Sequence, residues 1–466
     1  MTPTAEPTAS APLTPLADPT PTPIAFEFPV IAEPLRDLPV GSRLYESETP
    51  PSLATHDEMT TDGIVLKRVN GVLYDHPVRQ ALTAIRMADG YRLTGDSTYL
   101  DRATRNAGRL LTRATPSGRA LFFPYPYSFA LHGNPNEVLR APWYSAMAQG
   151  LALTAFVRLH EVTGEQQWRD AADATFESLK IRGPRSAPWV VHLDGSGYLW
   201  LEEYPFPPKP DRTINGHLFA AIGLYDYWQL TRDPTAKLLV QGALTTVRHY
   251  LPAWRRPGWV SRYCLAHAVQ STHYHLVHTE LAYDIYHMTG SVWWGRLGDL
   301  LISDYPDDET VRGRVRFAAT THVGYKFDRA GRIVARKIVS LSQPSGAYAS
   351  ARRRVFGRSG VYLQMYDGVF AGYLVLERSR LSYIRGIVYR IDWDPSRVVT
   401  LQRGTYTAYE FSSSGVIDAW QTVIFPKLAT MKVNERAIIL GRLHYRVEDG
   451  SLAGLWLPAT SGVALR

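Results

Sequence analysis

The chain has 466 residues, of which 45% are hydrophobic, 20% charged and 12% aromatic. This length predicts two or three domains, because single hydrophobic cores stop growing at about 250–300 residues. The composition excludes a chain that is disordered throughout, and no apolar run reaches the ~18 residues of a membrane span. The single cysteine, Cys264, excludes an internal disulfide framework and any metal site built from several thiolates.

Charge is unevenly distributed along the chain. Val311–Arg466 carries 24 Lys and Arg against 10 Asp and Glu, whereas residues 1–310 carry 27 against 33. This asymmetry predicts a domain boundary near residue 310. It also indicates that the basic part meets a polyanion or an anionic surface, with a solvated arginine-rich surface as the alternative.

Residues 1–55 are predicted to be a tether and N-terminal extension. The first ~35 residues are rich in Pro and Thr, a composition that buries too little apolar surface to fold. Tracts of this kind commonly follow a removed export signal, although no charged and apolar signal segment is visible here. We therefore expect a secreted or cell-surface protein.

Residues 56–310 show helical periodicity with an internal recurrence. Apolar, aromatic-rich segments end at Thr-Gly or Thr-Arg pairs, and a new amphipathic segment then begins; the threonines are Thr94, Thr163, Thr231 and Thr289. Such pairs are typical of a helix C-cap followed by an N-cap. Their separations of 69, 68 and 58 residues predict helical hairpins repeated around an (α/α) toroid with a concave substrate cleft. An open helical solenoid is the alternative.

Residues 311–466 are predicted to form an antiparallel β sandwich or barrel, since the apolar period changes to two. Short β-rich segments run through Arg332–Val339, Gly360–Met365 and Ala437–Leu440. A hairpin is expected with its turn near Asp367 and Gly368. The predicted fold class is thus multidomain, with helices followed by sheet.

Two polar clusters are candidates for chemistry. Glu202, Glu203 and Tyr204 precede a proline-rich segment that is poorly suited to a helix, so we expect a fixed loop there; a surface pair of glutamates is the alternative. His275 and His278 would share a helix face, but no carboxylate follows at matching spacing, so zinc is not favoured. No phosphate-binding loop or serine nucleophile elbow is visible, and nucleotide binding and serine esterase chemistry have no support.

Four motifs together resemble the C-terminal helical domain of D-glucuronyl C5-epimerases, which convert glucuronate to iduronate within heparan-type chains. They are Ala141–Gly150, Trp200–Pro205, Ile214–Asp226 and Tyr274-His275 with His278, and the stretch Tyr74–Arg296 that contains them is about half of the chain. In the animal enzymes β structure precedes the helical domain, whereas here the β-rich part follows it. The role of that part is unassigned.

The resemblance implies a site for proton exchange at C5. Removing a proton beside a carboxylate requires acid/base groups on both faces of the sugar and a partner for the developing enolate charge. By resemblance, Glu203 and Tyr274 form the opposite-face pair, and Tyr204 and Tyr263 bind the carboxylate or relay protons. The substrate-binding residues are Tyr144, Gln149, Glu202, Asn215, His275 and His278. Asn215 as a helix cap and Gln149 as a backbone partner are the structural alternatives.

One motif departs from the family pattern. Where the family has Tyr-Asp-Leu-Arg-His, this chain reads Tyr263-Cys264-Leu265-Ala266-His267. The arginine expected to pair with the uronate carboxylate is thus replaced by Ala266, and Arg262, Arg212 or a protonated His267 are candidate substitutes. The identity of the acidic sugar, including its sulfation, stays open.

The predicted function is therefore an isomerase, a polysaccharide glucuronyl C5-epimerase, that needs no cofactor and has no metal in its site. The predicted partner is an acidic polysaccharide such as heparosan or heparan sulfate, with no nucleic acid; a homodimer is a family-level expectation. The alternatives are a lyase that expels the 4-O substituent, a glycoside hydrolase that uses Glu202 or Glu203 as one of two acids, and a non-catalytic polysaccharide-binding protein.

Overall fold

The computed structural model describes residues 24–39, 43–45, 49–184, 188–305, 313–328, 330–358, 360–377, 381–384, 387–411, 417–439 and 442–465. Much of the predicted tether, residues 1–23, and the predicted boundary at residue 310 lie outside these ranges. The described residues form a mixed fold, with helices before residue 305 and mainly strands after 313. None of the described helices combines the length and apolar character needed to cross a bilayer.

Nine helices occupy the described part of the chain before residue 305. They are α1 Pro77–Thr94, α2 Ser97–Arg113, α3 Ala146–Thr163, α4 Gln166–Ser178, α5 Ile214–Thr231, α6 Pro234–His249, α7 Leu251–Trp254, α8 Thr272–Thr289 and α9 Val292–Asp304. Short strands lie between them: β1 Leu66–Val69, β2 Val72–Asp75, β3 Thr115–Ser117, β4 Ala120–Phe122, β5 Phe129–Ala130, β6 Val138–Leu139, β7 Val191–Leu193 and β8 Leu199–Leu201.

The four predicted hairpin turns are confirmed. Helices α1, α3, α5 and α8 end at the four recurring threonines, and the next residue has a positive φ each time: Gly95, Gly164, Arg232 and Gly290. Each threonine hydroxyl donates to a carbonyl four residues earlier, at 2.7–2.8 Å, and accepts the amide two residues later, at 3.1 Å. The recurrence thus encodes one repeated capping device.

From residue 313 onward, the strands of the described residues form two sheets of seven. The first contains β9 Gly313–Phe317, β10 Thr321–Phe327, β11 Ile333–Ser340, β12 Ser345–Arg353, β13 Tyr362–Met365, β14 Leu374–Leu376 and β15 Leu381–Ile384. The second contains β16 Ile387–Leu401, β17 Gly404–Phe411, β18 Ile417–Phe425, β19 Ala429–Ile439, β20 Arg442–Val447, β21 Trp456–Pro458 and β22 Val463–Leu465. The expected hairpin is present, because β13 pairs antiparallel with β14.

The two sheets are copies of one topology. Their strand orders, β11-β10-β14-β13-β12-β9-β15 and β18-β17-β21-β20-β19-β16-β22, become identical when each number of the first is raised by seven. In both, an aspartate before a one-turn helix accepts a backbone amide from the facing strand: Asp367 from Tyr348 at 2.6 Å, and Asp449 from Lys432 at 2.8 Å. The sequence Asp-Gly-x-x-Ala-Gly recurs at these two turns.

The buried residues of the two copies correspond as well. The first core contains Val315, Phe317, Ala347, Ala349, Leu363, Met365, Phe370 and Val375. Their counterparts are also buried: Val399, Leu401, Met431, Val433, Tyr445, Val447, Leu452 and Leu457. The region after residue 313 is therefore an internal duplication, and we name its halves the first and the second β repeat. The sandwich or barrel arrangement stays a prediction.

Contacts divide the chain into two compact units. Unit 1 comprises Met1–Val30, Thr49–Pro210 and Phe219–Ala243, and unit 2 comprises Ile31–Glu48, Asp211–Leu218 and Leu244–Arg466. Unit 1 holds the first two helical hairpins, and unit 2 holds α8, α9 and both β repeats. The three-part division and the toroid predicted from the sequence stay predictions.

Candidate functional site

The ten candidate residues divide between the two units. The first group, in unit 1, contains Tyr144, Gln149, Glu202, Glu203 and Tyr204, and the second group, in unit 2, contains Asn215, Tyr263, Tyr274, His275 and His278. The first group lies at the start of α3 and in the loop after β8, and the second group lies at the starts of α5 and α8 and in the segment between α7 and α8.

Backbone hydrogen bonds fix the position of the two glutamates. Strand β8 ends at Leu201, and the Glu202 amide then donates to the Val190 carbonyl at 2.8 Å. The Glu202 carbonyl accepts the Ala146 amide, also at 2.8 Å, at the first residue of α3. The expected fixed loop is thus tied to a helix start. Both carboxylates are buried, with 0% exposure for Glu202 and 8% for Glu203.

Aromatic rings pack against Tyr204, the residue that follows Glu203. The Tyr204 ring stacks on Phe129 with centroids 5.5 Å apart and lies 6.0 Å from Trp143, which stacks on Tyr125 at 3.8 Å. Burial, followed by the nearby charges of Tyr127 and Glu203, raises the pKa of Tyr125 above its usual value. We call Tyr125, Phe129, Trp143 and Tyr204 the aromatic wall. Sequence reasoning missed Tyr125 and Phe129, although both lie in the aromatic-rich run that begins at Phe122.

Gln149 makes its hydrogen bonds inside unit 1. Its Oε1 accepts the Phe123 amide at 2.9 Å, and its Nε2 donates to the Leu121 carbonyl at 2.8 Å and to Ser178 Oγ at 2.6 Å. This geometry favours the backbone-partner alternative over the predicted substrate contact. Tyr144 is half-buried, and its hydroxyl donates to Thr115 Oγ1 at 3.1 Å.

In unit 2, two tyrosine rings lie side by side. The Tyr263 and Tyr274 centroids are 4.1 Å apart, with a 37° angle between the planes. Tyr263 is buried, and its backbone is held by the Val269 carbonyl at 2.8 Å and the Ile214 amide at 3.0 Å. Tyr274 is half-buried in the first turn of α8, which Ser271 caps. The structure therefore brings together two of the predicted catalytic residues.

The histidine pair is tied to one serine. Ser261 Oγ lies 3.0 Å from His275 Nδ1 and 2.8 Å from His278 Nδ1, and the Ser261 amide donates to His275 Nδ1 at 2.9 Å. Because Nδ1 of His275 accepts, its Nε2 donates to the Leu301 carbonyl at 2.9 Å. Burial lowers the pKa of His275, and burial followed by the charge of His275 lowers the pKa of His278 to about 3. Both rings are thus neutral near pH 7.

Asn215 is buried in the first turn of α5. Its exposure is 2%, and among the described residues its Oδ1 has no hydrogen-bond partner. A cap would direct this oxygen to backbone amides of the first turn. The observed position therefore does not match the helix-cap alternative and leaves a polar atom for another ligand.

The motif Tyr263–His267, which departs from the family pattern, lies beside Asp211. His267 Nδ1 is 2.6 Å from Asp211 Oδ1, and the buried Cys264 lies in the same cluster. Burial, followed by the charge of Asp211, raises the pKa of the Cys264 thiol to about 12. The donor atoms of these three side chains suit a metal ion, whereas the sequence analysis considered zinc at the histidine pair His275 and His278.

Comparisons with known proteins agree with the sequence motifs. A family model described as "D-glucuronyl C5-epimerase C-terminus" matches residues 117–294, a segment that contains all ten candidate residues. A D-glucuronyl C5-epimerase of Caenorhabditis elegans is 29% identical over 163 residues, which are 31% of this chain and 26% of that protein. An uncharacterized protein of Methanocaldococcus jannaschii is 22% identical over 167 residues, 36% of this chain and 52% of that protein.

Solved structures give weaker likenesses. An α-mannanase of glycoside hydrolase family 76 from Bacteroides thetaiotaomicron has a TM-score of 0.34 at 15% identity, covering 51% of this chain and 59% of that one. An unsaturated glucuronyl hydrolase from Streptococcus agalactiae has a TM-score of 0.31 at 13% identity, covering 44% and 51%. Likenesses at this level identify neither an activity nor an arrangement of helices. The resemblance to D-glucuronyl C5-epimerases that the motifs predicted is confirmed over residues 117–294.

Proposed function

We propose that this chain is an isomerase that converts D-glucuronate to L-iduronate by epimerisation at C5 within a uronate-containing polysaccharide. The observation that supports this most is the family match, because its segment contains all ten candidate residues. The chain spans 26% and 52% of the two curated relatives, so the activity of the whole enzymes is carried over here only as part of the proposal.

The reaction exchanges one proton and leaves the sugar chain otherwise unchanged. A base takes the C5 proton from one face, the electron pair delocalises into the carboxylate, and an acid returns a proton to the other face. We assign Glu203 and Tyr274 to the two faces. Because the reaction is reversible, each residue acts as the base in one direction and as the acid in the other.

The aromatic residues of both groups fit roles around this pair. In the second group, Tyr263 lies against the Tyr274 ring and would orient it or relay its proton. In the first group, Phe129 and Tyr204 are the half-buried rings of the aromatic wall, and a sugar would contact them beside Glu203. Low dielectric around the buried Glu203 would strengthen its interaction with developing charge.

A basic pocket in unit 2 supports an acidic polymer as the substrate class. The pocket has a volume of about 710 Å³, and its lining includes Arg255, Arg256, Arg354, Arg358, Trp259 and Phe356. Arg255 is paired with Asp304 at 2.6 and 2.9 Å, and Arg256 lies over the Phe356 ring at 5.5 Å. Guanidinium groups beside aromatic faces suit a sugar that carries carboxylate or sulfate.

Solvent exchange tests the proposal. The full chain is incubated in deuterium oxide with desulfated, N-sulfated heparosan and related glucuronans, and the products are analysed by NMR and chain length. We expect deuterium at C5 and iduronate, without chain shortening. Ultraviolet absorbance of an unsaturated uronate would instead identify a lyase, new reducing ends without that absorbance a hydrolase, and binding without any of these a non-catalytic protein.

Two features outside the site are proposed with the function. A polysaccharide substrate and the Pro- and Thr-rich N-terminal part are consistent with a secreted or cell-surface enzyme. A homodimer is the family-level expectation, and sedimentation of the full chain measures it.

A further inference from the structure

Asp211, Cys264 and His267 form a mixed cluster of donor atoms in unit 2. One oxygen, one sulfur and one nitrogen from these side chains lie within 4.8 Å of one another. Asp211 and Cys264 are fully buried, and the His267 side chain is 18% exposed. Neither group of the proposed site includes these residues, and the sequence predicted no metal here.

The donor set fits zinc. Zinc binds carboxylate oxygen, imidazole nitrogen and thiolate sulfur at about 2.0–2.3 Å, so tetrahedral ligand atoms lie about 3.3–3.8 Å apart. The donor atoms lie within 4.8 Å of one another, so shifts of about 1 Å bring them to this spacing, and the 2.6 Å contact between His267 Nδ1 and Asp211 Oδ1 has to open. Asp211 Oδ2 accepts the Thr213 hydroxyl at 3.1 Å, a second bond of the kind that commonly orients a liganding carboxylate.

The backbone around the cluster holds its members in place. Thr213 and Cys264 form an antiparallel bridge, and the Ala266 and Leu265 amides donate to the Asp211 and Arg212 carbonyls at 3.1 and 3.2 Å. Two residues next to the cluster, Arg212 and Ala268, have φ values of 55° and 54°. Left-handed conformations at non-glycine residues cost about 1–3 kcal/mol each and persist where the surroundings impose them.

We infer that Asp211, Cys264 and His267 bind one zinc ion, which links the segment before α5 to the segment that follows Tyr263. Zinc is usually four-coordinate in proteins, so the ion needs one ligand besides these three. The ion lies beside Ala266, where the family has an arginine. A role for this ion in supporting Tyr263 during the reaction rests on the proposed function. The binding of zinc is independent of that function.

Cobalt substitution tests the site directly. The full chain is stripped with a chelator and titrated with Co²⁺, and zinc is then added. We expect one equivalent to bind with a near-ultraviolet thiolate-to-cobalt charge-transfer band, which zinc abolishes. Since Cys264 is the only cysteine of the chain, the band reports on this residue alone. Lack of binding, or binding without the band, would overturn the inference.

Variants and X-ray absorption assign the remaining ligands. Asp211→Asn and His267→Ala are expected to weaken Co²⁺ binding at least tenfold, and His249→Ala, which changes an exposed histidine of the same unit, to leave it unchanged. In the unmodified zinc-loaded chain, absorption at the zinc edge should show one sulfur at about 2.3 Å with lighter ligands at about 2.0–2.1 Å. A zinc coordination shell without sulfur would contradict the proposed site. Because this measurement uses the unmodified chain, it does not depend on whether the variants fold.

The two proposals fail separately. If the chain shows the thiolate-to-cobalt band but no C5 exchange on any glucuronan, the epimerase proposal is rejected and the metal-site proposal stands. If the chain catalyses C5 exchange but shows no thiolate-to-cobalt band, the metal-site proposal is rejected and the epimerase proposal stands.

Discussion

The first and second groups of candidate residues lie in different units, yet each combines residues that support the structure with residues that would contact substrate. Each contains polar side chains whose hydrogen bonds are made inside the protein: Gln149 in the first, and His275 and His278 in the second. Each also contains tyrosines packed against other aromatic rings: Tyr204 in the first, and Tyr263 and Tyr274 in the second. A family motif thus mixes residues that would touch substrate with residues that support them, and geometry separates the two kinds.

The largest effect should follow a change in the second group. Tyr274→Phe removes the phenol that we assign to one face of the sugar, and C5 deuterium exchange should fall by about 10²–10⁴. Circular dichroism should stay unchanged, since the half-buried ring is kept. Tyr286→Phe, further along α8, is the matched control and should keep exchange. Full exchange by Tyr274→Phe would remove this residue from the catalytic pair.

The first group is tested at its carboxylate. Glu203→Gln keeps the shape of the side chain but removes its basicity, and exchange should fall by at least about 10². Glu161→Gln on α3 serves as the control. If Glu203→Gln raised KM and left kcat unchanged, Glu203 would bind substrate without transferring a proton, and it would lose its place in the catalytic pair.

Gln149 should behave as a supporting residue. Gln149→Ala leaves the Phe123 amide and the Leu121 carbonyl without their partner inside the protein, and we expect a loss of about 2–4 kcal/mol in the free energy of unfolding. Denaturant titration measures this loss, and the exposed Gln166→Ala should change stability by less than about 0.5 kcal/mol. A stable Gln149→Ala with reduced exchange would return Gln149 to the substrate-binding residues.

The smallest effect is a pH dependence from the histidine pair. The pKa of His278 is about 3 in the folded chain and about 6.5 when unfolded, so protons bind the unfolded state preferentially between these values. Its contribution to stability is complete above pH ~6.5 and is lost as the pH falls toward 3. In His278→Asn, which keeps an acceptor for Ser261, the loss of stability between about pH 7 and pH 5 should be smaller by about 1–2 kcal/mol.

His249→Ala, which changes an exposed histidine, is the control variant for this measurement. Burial lowers the pKa of His275 as well, so in the unmodified chain His275 contributes to the pH dependence with the same sign. If the His278 variant kept the full pH dependence, His278 would not be a neutral supporting residue.

Local signals predicted much of the fold. The recurring threonines mark four helix ends because the capping device is confined to consecutive residues. The strand-rich part was recognised from its period of two, but its duplication was not, since the repeats share little beyond the Asp-Gly-x-x-Ala-Gly turn. Burial is preserved where identity is not: Phe317 corresponds to Leu401, and Ala349 to Val433.

For the candidate site, the sequence predicted the identities of the residues but not their contacts. Family motifs supplied all ten residues, but the partners that separate support from chemistry are distant in sequence: Gln149 bonds to residues 26–29 positions away, and Ser261 joins histidines 14 and 17 positions away. Asp211 lies 56 residues before His267, a spacing that no short metal-binding motif has. Such pairings become visible only when the chain is folded.

The duplication of the β region has a consequence for how this chain reaches its native state. When neighbouring modules have the same strand order, a strand of one module can pair with strands of the other during synthesis. Such mispairing leads to domain-swapped, misfolded states in tandem-repeat proteins. Divergence of the two interiors, with Ala347 in one where Met431 stands in the other, makes such hybrids poorly filled. Low identity between the halves therefore protects the correct pairing, and a chain engineered to carry two identical copies should misfold more often.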